Sequence, residues 1–181
     1  MRPSRKEEII AATIQLVAHK GVQAATIRQI TTEAGVTEAA LYRHFSSKDD
    51  LCQQVYERIV AEMAAAKEEL AAGPLPLRDK LREWVRLSYE YFDRYPEAFT
   101  YVLLTAHSFA EDGVSTSQGF SLMRLFKKEK LANTTPEMAL CLFSGVLLNV
   151  PRMINEGRLK GPASQYTDQV TQAVWRIFGM A

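Results

Sequence analysis

The chain has 181 residues, of which 47% are hydrophobic, so it is long and apolar enough to bury a substantial core in one or two domains and is not a disordered tail. Its 22 basic and 21 acidic side chains give a formal net charge of +1, which excludes a protein that coats nucleic acid through overall basicity. Any binding of nucleic acid must therefore come from a local patch.

Membrane and export signals are not expected. The most apolar run, residues 138–150, is interrupted by Ser144, Gly145 and Asn149, so no membrane span is predicted. No apolar stretch precedes the first acidic residues, so no signal peptide is predicted. Cys52 and Cys141 lie far apart in sequence, which favours two free thiols over a disulfide. We expect a cytoplasmic protein with no membrane partner.

The first two helices are predicted from their ends. Ser4 with Glu7 forms a capping box, and apolar residues then recur at helical spacing until Gly21 ends the first helix. Thr26 with Gln29 opens a second helix.

The third helix follows a tight turn at Gly35, because glycine adopts a left-handed backbone without a Cβ penalty. Thr37 is the predicted N-cap. Leu41 and Phe45 are four residues apart and are expected on the buried face. The predicted free face carries Glu38, Ala39, Ala40, Tyr42, Arg43 and His44. Because Ala39 and Ala40 are small, the backbone of this helix can approach a DNA groove closely.

The fourth helix is predicted to be long. Ser47 with Asp50 forms a capping box at its start and places Lys48 at the amino end, which favours a phosphate. The apolar pattern continues to about Ala72, where residues 73–76 (Gly-Pro-Leu-Pro) end it. We expect this helix to connect the DNA-binding unit with the rest of the chain.

The remaining segments are also helical, which gives an all-α fold of about nine helices. Helices are predicted over residues 77–94, 96–110, 118–131, 136–157 and from Pro162 to the carboxyl end, with a polar loop over 111–119. The basic cluster Lys127, Lys128 and Lys130 is interpreted as a solvated face.

The last two helices carry apolar residues around more of their circumference than a single core face requires, which predicts a dimer seam. The residues assigned to this seam are Leu140, Leu147, Leu148, Val170, Val174, Trp175 and Phe178. The alternative is that they fill a larger monomer core. Pro151 is expected to kink its helix locally.

The first fifty or so residues resemble the DNA-binding domain of TetR-type (TetR/AcrR) bacterial transcriptional regulators. The matching residues are Arg5, Ile9 through Ala12, Leu16, Gly21, Ala25-Thr26-Ile27, Ile30, Ala34-Gly35-Val36-Thr37, Leu41-Tyr42, Phe45, Ser47-Lys48 and Leu51. Two positions depart from the family pattern. Thr31 stands where the family usually has alanine on the core side, and Ala40 stands where a phosphate-contacting hydroxyl is frequent.

The resemblance implies a helix-turn-helix DNA-binding domain over residues 1–47 and a helical effector-binding and dimerisation domain over 48–181. It implies a homodimer on a palindromic double-stranded operator, acting as a repressor that a small, mostly apolar ligand releases. No cofactor is expected, and no metal is expected because no His or Cys lies at ligand spacing from His44.

Carried over to this sequence, the family motif assigns phosphate and positioning roles to Thr37, Tyr42, His44 and Lys48. Sequence readout is assigned to Arg28, Glu38, Ala39 and Arg43. Arg43 suits a guanine edge and Ala39 a thymine methyl group. Glu38 is left open between a cytosine contact and a carboxylate that pairs with the helix dipole.

An effector cavity is expected from the resemblance in the middle of the chain. Its predicted contacts are Trp84, Tyr91, Phe99, Tyr101, His107, Phe120, Met123 and Phe143. His107, Arg86 and Glu90 are candidate polar anchors. The alternative is that the aromatic residues are plain helical core.

Two rival functions stay open. An enzyme would use His44 or His107 as a base and Cys52 or Ser108 as a nucleophile, but no nucleophile elbow, zinc-ligand pair or glycine-rich phosphate loop accompanies them. A helical adaptor would use the turn motif to contact protein.

Overall fold

The computed structural model describes residues 3–110, 117–129, 131 and 134–178, without the side chains of 106–110 and 117–120. These residues form α-helices and one 3₁₀ helix and include no strand, which confirms the predicted all-α class. The first helices are α1 Arg5–Lys20, α2 Ile27–Glu33, α3 Glu38–Tyr42, α4 Lys48–Ala72 and α5 Leu77–Arg94. They are followed by α6 Pro96–Ala110, α7 Ser117–Lys128, α8 Pro136–Asn155, the 3₁₀ helix Ala163–Tyr166 and α9 Thr167–Ile177.

The chain divides into two compact units. The N-terminal unit contains α1 to α3, α4 as far as Val60, and α6 from Glu97. The C-terminal unit contains α4 from Ala61, α5 and α7 to α9. Helix α4 therefore contributes residues to both units.

The ends of the first helices follow the local signals in the sequence. Ser4 accepts from the Glu7 amide at 3.3 Å. Gly21, at φ 79°, donates its amide to the Val17 carbonyl at 2.8 Å and ends α1. The Thr26 hydroxyl accepts from the Gln29 amide at 3.3 Å, and Gln29 Oε1 accepts from the Thr26 amide at 3.2 Å, so the capping box at α2 is confirmed.

Ala40 is buried, with 8% of its surface exposed, and the prediction that it lies on the free face of α3 is wrong. Both α1 and α2 pack against this short helix, so its buried arc includes Ala40 as well as Leu41. Leu41 and Phe45 are buried as predicted. Of the two small residues of this helix, Ala39 therefore lies on the exposed face of α3 and Ala40 does not.

The core of the C-terminal unit is aromatic. The Phe126 ring makes edge contacts with Phe143 at 6.1 Å and Phe178 at 5.5 Å between centroids, which joins α7, α8 and α9. Trp84 is buried on α5, and the ammonium of the buried Lys67 lies 5.5 Å from the centre of a Trp84 ring.

The carboxyl end of α4 is closed by a buried lysine of α5. Lys80 Nζ donates to the Ala71 carbonyl at 2.9 Å. One of the last carbonyls of α4 thereby gains a charged partner.

Two boundaries differ from the sequence prediction. Residues 117–119, predicted as loop, form the first turn of α7, whereas 111–116 lie outside the described residues. The helix predicted from Pro162 begins as the 3₁₀ turn before α9. The Asp93 carboxylate accepts from the Ala163 amide at 2.6 Å and from the Ser164 amide at 2.9 Å, and these bonds hold the start of that turn against α5.

Helix α8 is unusually apolar and little buried. Among the described residues it is the one helix that length and composition would allow to cross a membrane, with a mean hydropathy of 1.4 over its most apolar window, of which 22% is buried. The helix meets this criterion although it has no uninterrupted apolar run of that length, because the interrupting residues are uncharged and leave the mean hydropathy high. The helix continues through Pro151, which is itself buried.

Candidate nucleic-acid interface

The turn between α2 and α3 is built from backbone bonds that require glycine. Gly35 has φ 65°, a left-handed conformation that residues with a Cβ rarely adopt. The Gly35 amide donates to the Thr32 carbonyl at 3.2 Å, and the Val36 amide donates to the Thr31 carbonyl at 3.0 Å. These bonds end α2 in the manner of a Schellman motif and set the direction in which α3 leaves.

Thr31, which stands where the TetR-type pattern usually has alanine, does not disturb this turn. Its side chain is buried, and its hydroxyl donates to the carbonyls of Ile27 at 3.0 Å and Arg28 at 3.1 Å. A buried hydroxyl with partners inside its own helix carries little penalty.

Helix α3 begins where it was predicted to begin. The Thr37 side chain accepts from the Ala40 amide at 3.2 Å, and Glu38 lies in the first turn. The predicted contacts on and beside this helix are all exposed, namely Thr37, Glu38, Ala39, Tyr42, Arg43 and His44. Arg28 on α2 is exposed as well. A tyrosine with 51% of its surface exposed, as Tyr42 has, is costly to leave in water and fits a residue that meets a partner.

Lys48 is half-buried, and its ammonium donates to the Val22 carbonyl at 2.6 Å. This bond ties the start of α4 to the segment between α1 and α2. Because an ammonium has three donors, the bond orients Lys48 without using all of them. No sequence signal indicated this contact, since 26 residues separate the two partners.

The amino end of α4 already holds a carboxylate. Asp50 Oδ2 accepts from the Ser46 amide at 2.6 Å and from the Ser46 hydroxyl at 2.9 Å, and Asp50 Oδ1 accepts from Gln54 at 2.9 Å. These hydrogen bonds, from Gln54 first and then from Ser46, lower the pKa of the Asp50 carboxyl. The predicted capping box is thus one-sided. Ser47 accepts from the Asp50 amide at 3.0 Å, but Asp50 bonds back to Ser46.

Helices α1 and α6 hold α4 within the N-terminal unit. Arg58 donates to both carboxylate oxygens of Glu7 at 2.9 and 2.7 Å. Both side chains are 45% exposed, so this pair contributes at most about 1 kcal/mol. The Tyr101 hydroxyl donates to the Cys52 carbonyl at 2.9 Å in the core, which joins α6 to α4.

Sequence comparison identifies the architecture to which this turn and helix belong. Residues 9–55 match the profile described as bacterial regulatory proteins, tetR family. The DNA-binding segment of the chain is therefore of the TetR type.

Curated relatives of the chain include the HTH-type transcriptional repressor KstR2 of Rhodococcus jostii (strain RHA1). The two are 29% identical over 92 residues, which cover 51% of this chain and 45% of the relative. The uncharacterized HTH-type transcriptional regulator YerO of Bacillus subtilis (strain 168) is 32% identical over 112 residues, which cover 60% of this chain and 38% of the relative. The chain therefore spans less than half the length of these curated relatives.

The structural similarity to solved proteins extends over nearly the whole chain. The solved structure of the transcriptional regulator FadR from Bacillus subtilis in complex with stearoyl-CoA superimposes with a TM-score of 0.80. The match covers 93% of this chain and 96% of that one at 13% sequence identity, which is evidence of a shared fold alone.

The predicted effector contacts are divided between the two units of the chain. Trp84 and Phe143 are buried in the C-terminal unit, whereas Phe99 and Tyr101 are buried in the N-terminal unit. Tyr91 and Met123 are half-buried in the C-terminal unit. The side chains of His107 and Phe120 lie outside the described residues. Burial of these four is expected under both interpretations, because residues that line an effector cavity and residues of a plain core are both shielded from water.

The predicted dimer contacts also separate into two groups. Leu147, Val170, Val174 and Phe178 are buried within their own chain. A side chain that is already buried has little surface to offer a partner, so these four are core residues. Leu140 and Trp175 are half-buried, and Leu148 is 38% exposed.

Proposed function

We propose that this protein is a sequence-specific DNA-binding transcriptional regulator that binds a palindromic operator as a homodimer. The observation that carries the proposal is the exposed face of α3, held at a fixed angle by the Gly35 turn and the Thr37 cap. A short rigid helix with an exposed aromatic residue and exposed cations is the part of a helix-turn-helix protein that enters the major groove. The name of one curated relative, a transcriptional repressor, supports repression.

In this proposal Arg43 reads a guanine through its O6 and N7 atoms, and Ala39 contacts a thymine methyl group. Glu38 and Arg28 complete the base-reading set, while Thr37, Tyr42, His44 and Lys48 contact the backbone. The Asp50 carboxylate at the start of α4 repels a phosphate there, so the backbone contact of Lys48 has to come from its remaining N–H donors. Base contacts set the preferred sequence, and phosphate contacts set the register.

Dimerisation is proposed through the outer face of α8. Met138, Cys141, Gly145 and Leu148 recur three or four residues apart and are all exposed, with 52% exposure at Met138 and 38% at Leu148. The buried residues Ala139, Phe143, Leu147 and Pro151 follow a separate stripe of the same helix. Nothing lies within 4 Å of a Cβ built on Gly145, so a second helix can approach its backbone closely. A two-fold pair would place two α3 helices about 34 to 36 Å apart, in successive major grooves.

The C-terminal unit is proposed to bind a small, mostly apolar effector. A solved structure of the same fold is in complex with stearoyl-CoA, which supports a ligand of this class. Helix α4 passes from one unit into the other, so a ligand that prefers one conformation of the C-terminal unit can change the affinity for the operator by a coupling of about 1 to 3 kcal/mol. The proposed division remains residues 1–47 for DNA and 48–181 for the effector and the dimer, in a cytoplasmic protein.

The test is selection of bound duplexes from a random pool, followed by measurement of affinity for the selected site at several salt concentrations. Arg43→Ala should cost about 1 to 3 kcal/mol on that site and relax the preference at one base position. Lys48→Gln should weaken binding to all sequences and reduce the salt slope by about one. Arg94→Gln, which removes an exposed cation of the C-terminal unit, is the control and should change neither quantity.

Failure to enrich any sequence would contradict the proposal and favour the adaptor. An unchanged base preference in the Arg43 variant would contradict its assigned role. The dimer is tested by Leu148→Glu, which should halve the mass in solution and abolish tight binding to the full palindrome. A variant that remains a dimer would exclude this face of α8.

The enzyme alternative gains no support from its candidate nucleophile. Cys52 is 2% exposed, and burial raises the pKa of its thiol, so the reactive thiolate is disfavoured. Within the described ranges, no group of three or more His, Cys, Asp or Glu side chains is arranged to hold a metal.

A further inference from the structure

A small cavity in the C-terminal unit lies between the last two turns of α4 and one stripe of α7. Its volume is about 80 Å³. The residues that matter for its chemistry are Glu68, Ala71 and Ala72 from α4 and Ser121, Arg124 and Lys128 from α7. The three α7 residues are spaced by three and four positions and therefore face the same side of that helix.

Ser121 differs from the other buried serine and threonine side chains in the described part of the chain. Seven serine and threonine side chains are buried in the described part of the chain: Thr13, Thr31, Ser88, Thr105, Ser121, Thr167 and Thr171. Six of them donate to a carbonyl three or four residues earlier, at 2.7 to 3.1 Å. Ser121 is 1% exposed, and its Oγ has no partner among the described residues.

An unpartnered buried hydroxyl destabilises the folded state, and the internal bond that the other six side chains make would remove this cost. Ser121 is one of the residues that line the cavity. A ligand atom placed there would accept its proton and remove that cost. Ser121 is therefore the feature that makes this cavity a binding site rather than a packing gap.

The charges around the cavity favour an anion. Arg124 and Lys128 supply two cations, and Glu68 supplies one carboxylate, so the lining carries a net charge of +1. The carboxyl end of α4 would repel an anion, but Lys80 already donates to the Ala71 carbonyl at 2.9 Å and offsets that partial charge. The two α7 cations add to this compensation.

The volume limits what can enter. A site for a whole drug-sized ligand occupies roughly 300 to 1,000 Å³, so about 80 Å³ holds only a head group. We propose that this cavity binds the acidic head group, a carboxylate or a phosphate, of the effector, with Ser121 as hydrogen-bond donor and Arg124 and Lys128 as the paired cations. The proposal rests on the effector site proposed above and assigns it an acidic ligand.

The experiment measures calorimetric affinity of the full-length protein for octanoate, octyl phosphate and 1-octanol, which share one tail and differ in the head group. The wild-type protein should bind one of the acids at least about tenfold more tightly than the alcohol, because a charge-assisted hydrogen bond is worth 1.4 kcal/mol or more. The better acid identifies the head group as carboxylate or phosphate.

Ser121→Ala and Arg124→Gln should each reduce the preference for the acid about tenfold. Lys127→Gln is the matched control, because it removes an exposed cation of the same helix that does not line the cavity. Without ligand, Ser121→Ala should be at least as stable as the wild type, since its hydroxyl has no partner to lose and its burial is a cost.

Equal affinity for acid and alcohol, an unchanged preference in the Ser121 variant, or marked destabilisation of that variant without ligand would each overturn the proposal. Operator binding is measured on the same samples. An intact operator complex together with any of these results rejects the acidic site and leaves the regulatory function standing. If the wild-type protein forms no operator complex, the regulatory function is rejected. The relative affinities for octanoate, octyl phosphate and 1-octanol then still show whether the cavity binds an acidic head group.

Discussion

Replacing Lys67 with methionine is expected to remove a pH dependence from the stability of the protein. Lys67 is 2% exposed, and burial lowers the pKa of its ammonium from 10.5 to about 7. The contact with the Trp84 ring stabilises the ammonium in part, but it does not replace the water molecules that hydrate the ammonium in the unfolded chain. Methionine matches the length of the lysine stem and carries no charge to desolvate.

The size of the effect follows from the two pKa values. Below pH 7 the Lys67 amine is protonated in both the folded and the unfolded state. Burial of the charged amine then lowers the free energy of unfolding by roughly 5 kcal/mol, at about 1.4 kcal/mol for each unit of the pKa shift. Between pH 7 and 10.5 the unfolded chain keeps a proton that the folded protein has lost, so the free energy of unfolding rises with pH. From pH 6 to pH 9 this rise amounts to about 2 to 3 kcal/mol.

The measurement is urea denaturation of the wild type and of Lys67→Met at pH 6 and pH 9. Taking the difference between the two proteins cancels the other titrating groups, and the variant should lack the rise of about 2 to 3 kcal/mol. Lys127→Met removes an exposed lysine and should keep the wild-type pH dependence. Identical pH dependence in the wild type and Lys67→Met would refute the reasoning, because the ammonium would then be hydrated or charge-paired in the folded state.

Two comparisons within the chain yield further predictions. Tyr101→Phe loses the hydrogen bond to the Cys52 carbonyl and should lower the free energy of unfolding, measured by urea denaturation, by about 1 to 2 kcal/mol. Tyr89→Phe should leave that free energy unchanged, because no hydrogen-bond partner of the buried Tyr89 hydroxyl lies among the described residues. Equal losses in the two variants would contradict this prediction. In alkylation followed by mass spectrometry, Cys52 should stay slow in every form because it is buried, while Cys141 should react faster in the Leu148→Glu monomer than in the dimer. Equal rates for Cys141 in monomer and dimer would place it outside the interface.

Helix ends were predicted well from the sequence because their signals are local. The caps at Ser4, Thr26, Thr37 and Thr135 each accept from a backbone amide three residues ahead, and Gly35 has the positive φ expected of it. These signals need no knowledge of distant residues. They were sufficient to outline the turn and the helix of the candidate interface.

Some features of the site could not be predicted because they depend on contacts between residues that are distant in sequence. Ala40 is buried because two helices enclose α3, which the spacing of one five-residue helix cannot reveal. Lys48 bonds to a carbonyl 26 residues away. Ser121 lies on a helix whose basic residues were interpreted as a solvated face, and only the packing of α7 against α4 shows the cavity.

The apolar outer face of α8 links folding to the amount of protein present. A helix with a mean hydropathy of 1.4 of which so little is buried in one chain would leave a separated protomer prone to aggregation. In the proposed dimer, association and folding then form a single equilibrium, so the melting temperature rises with protein concentration. A cell that makes little of such a regulator would hold part of it as unpaired chains, exposed to proteases, and the level of the active form would fall faster than the level of synthesis.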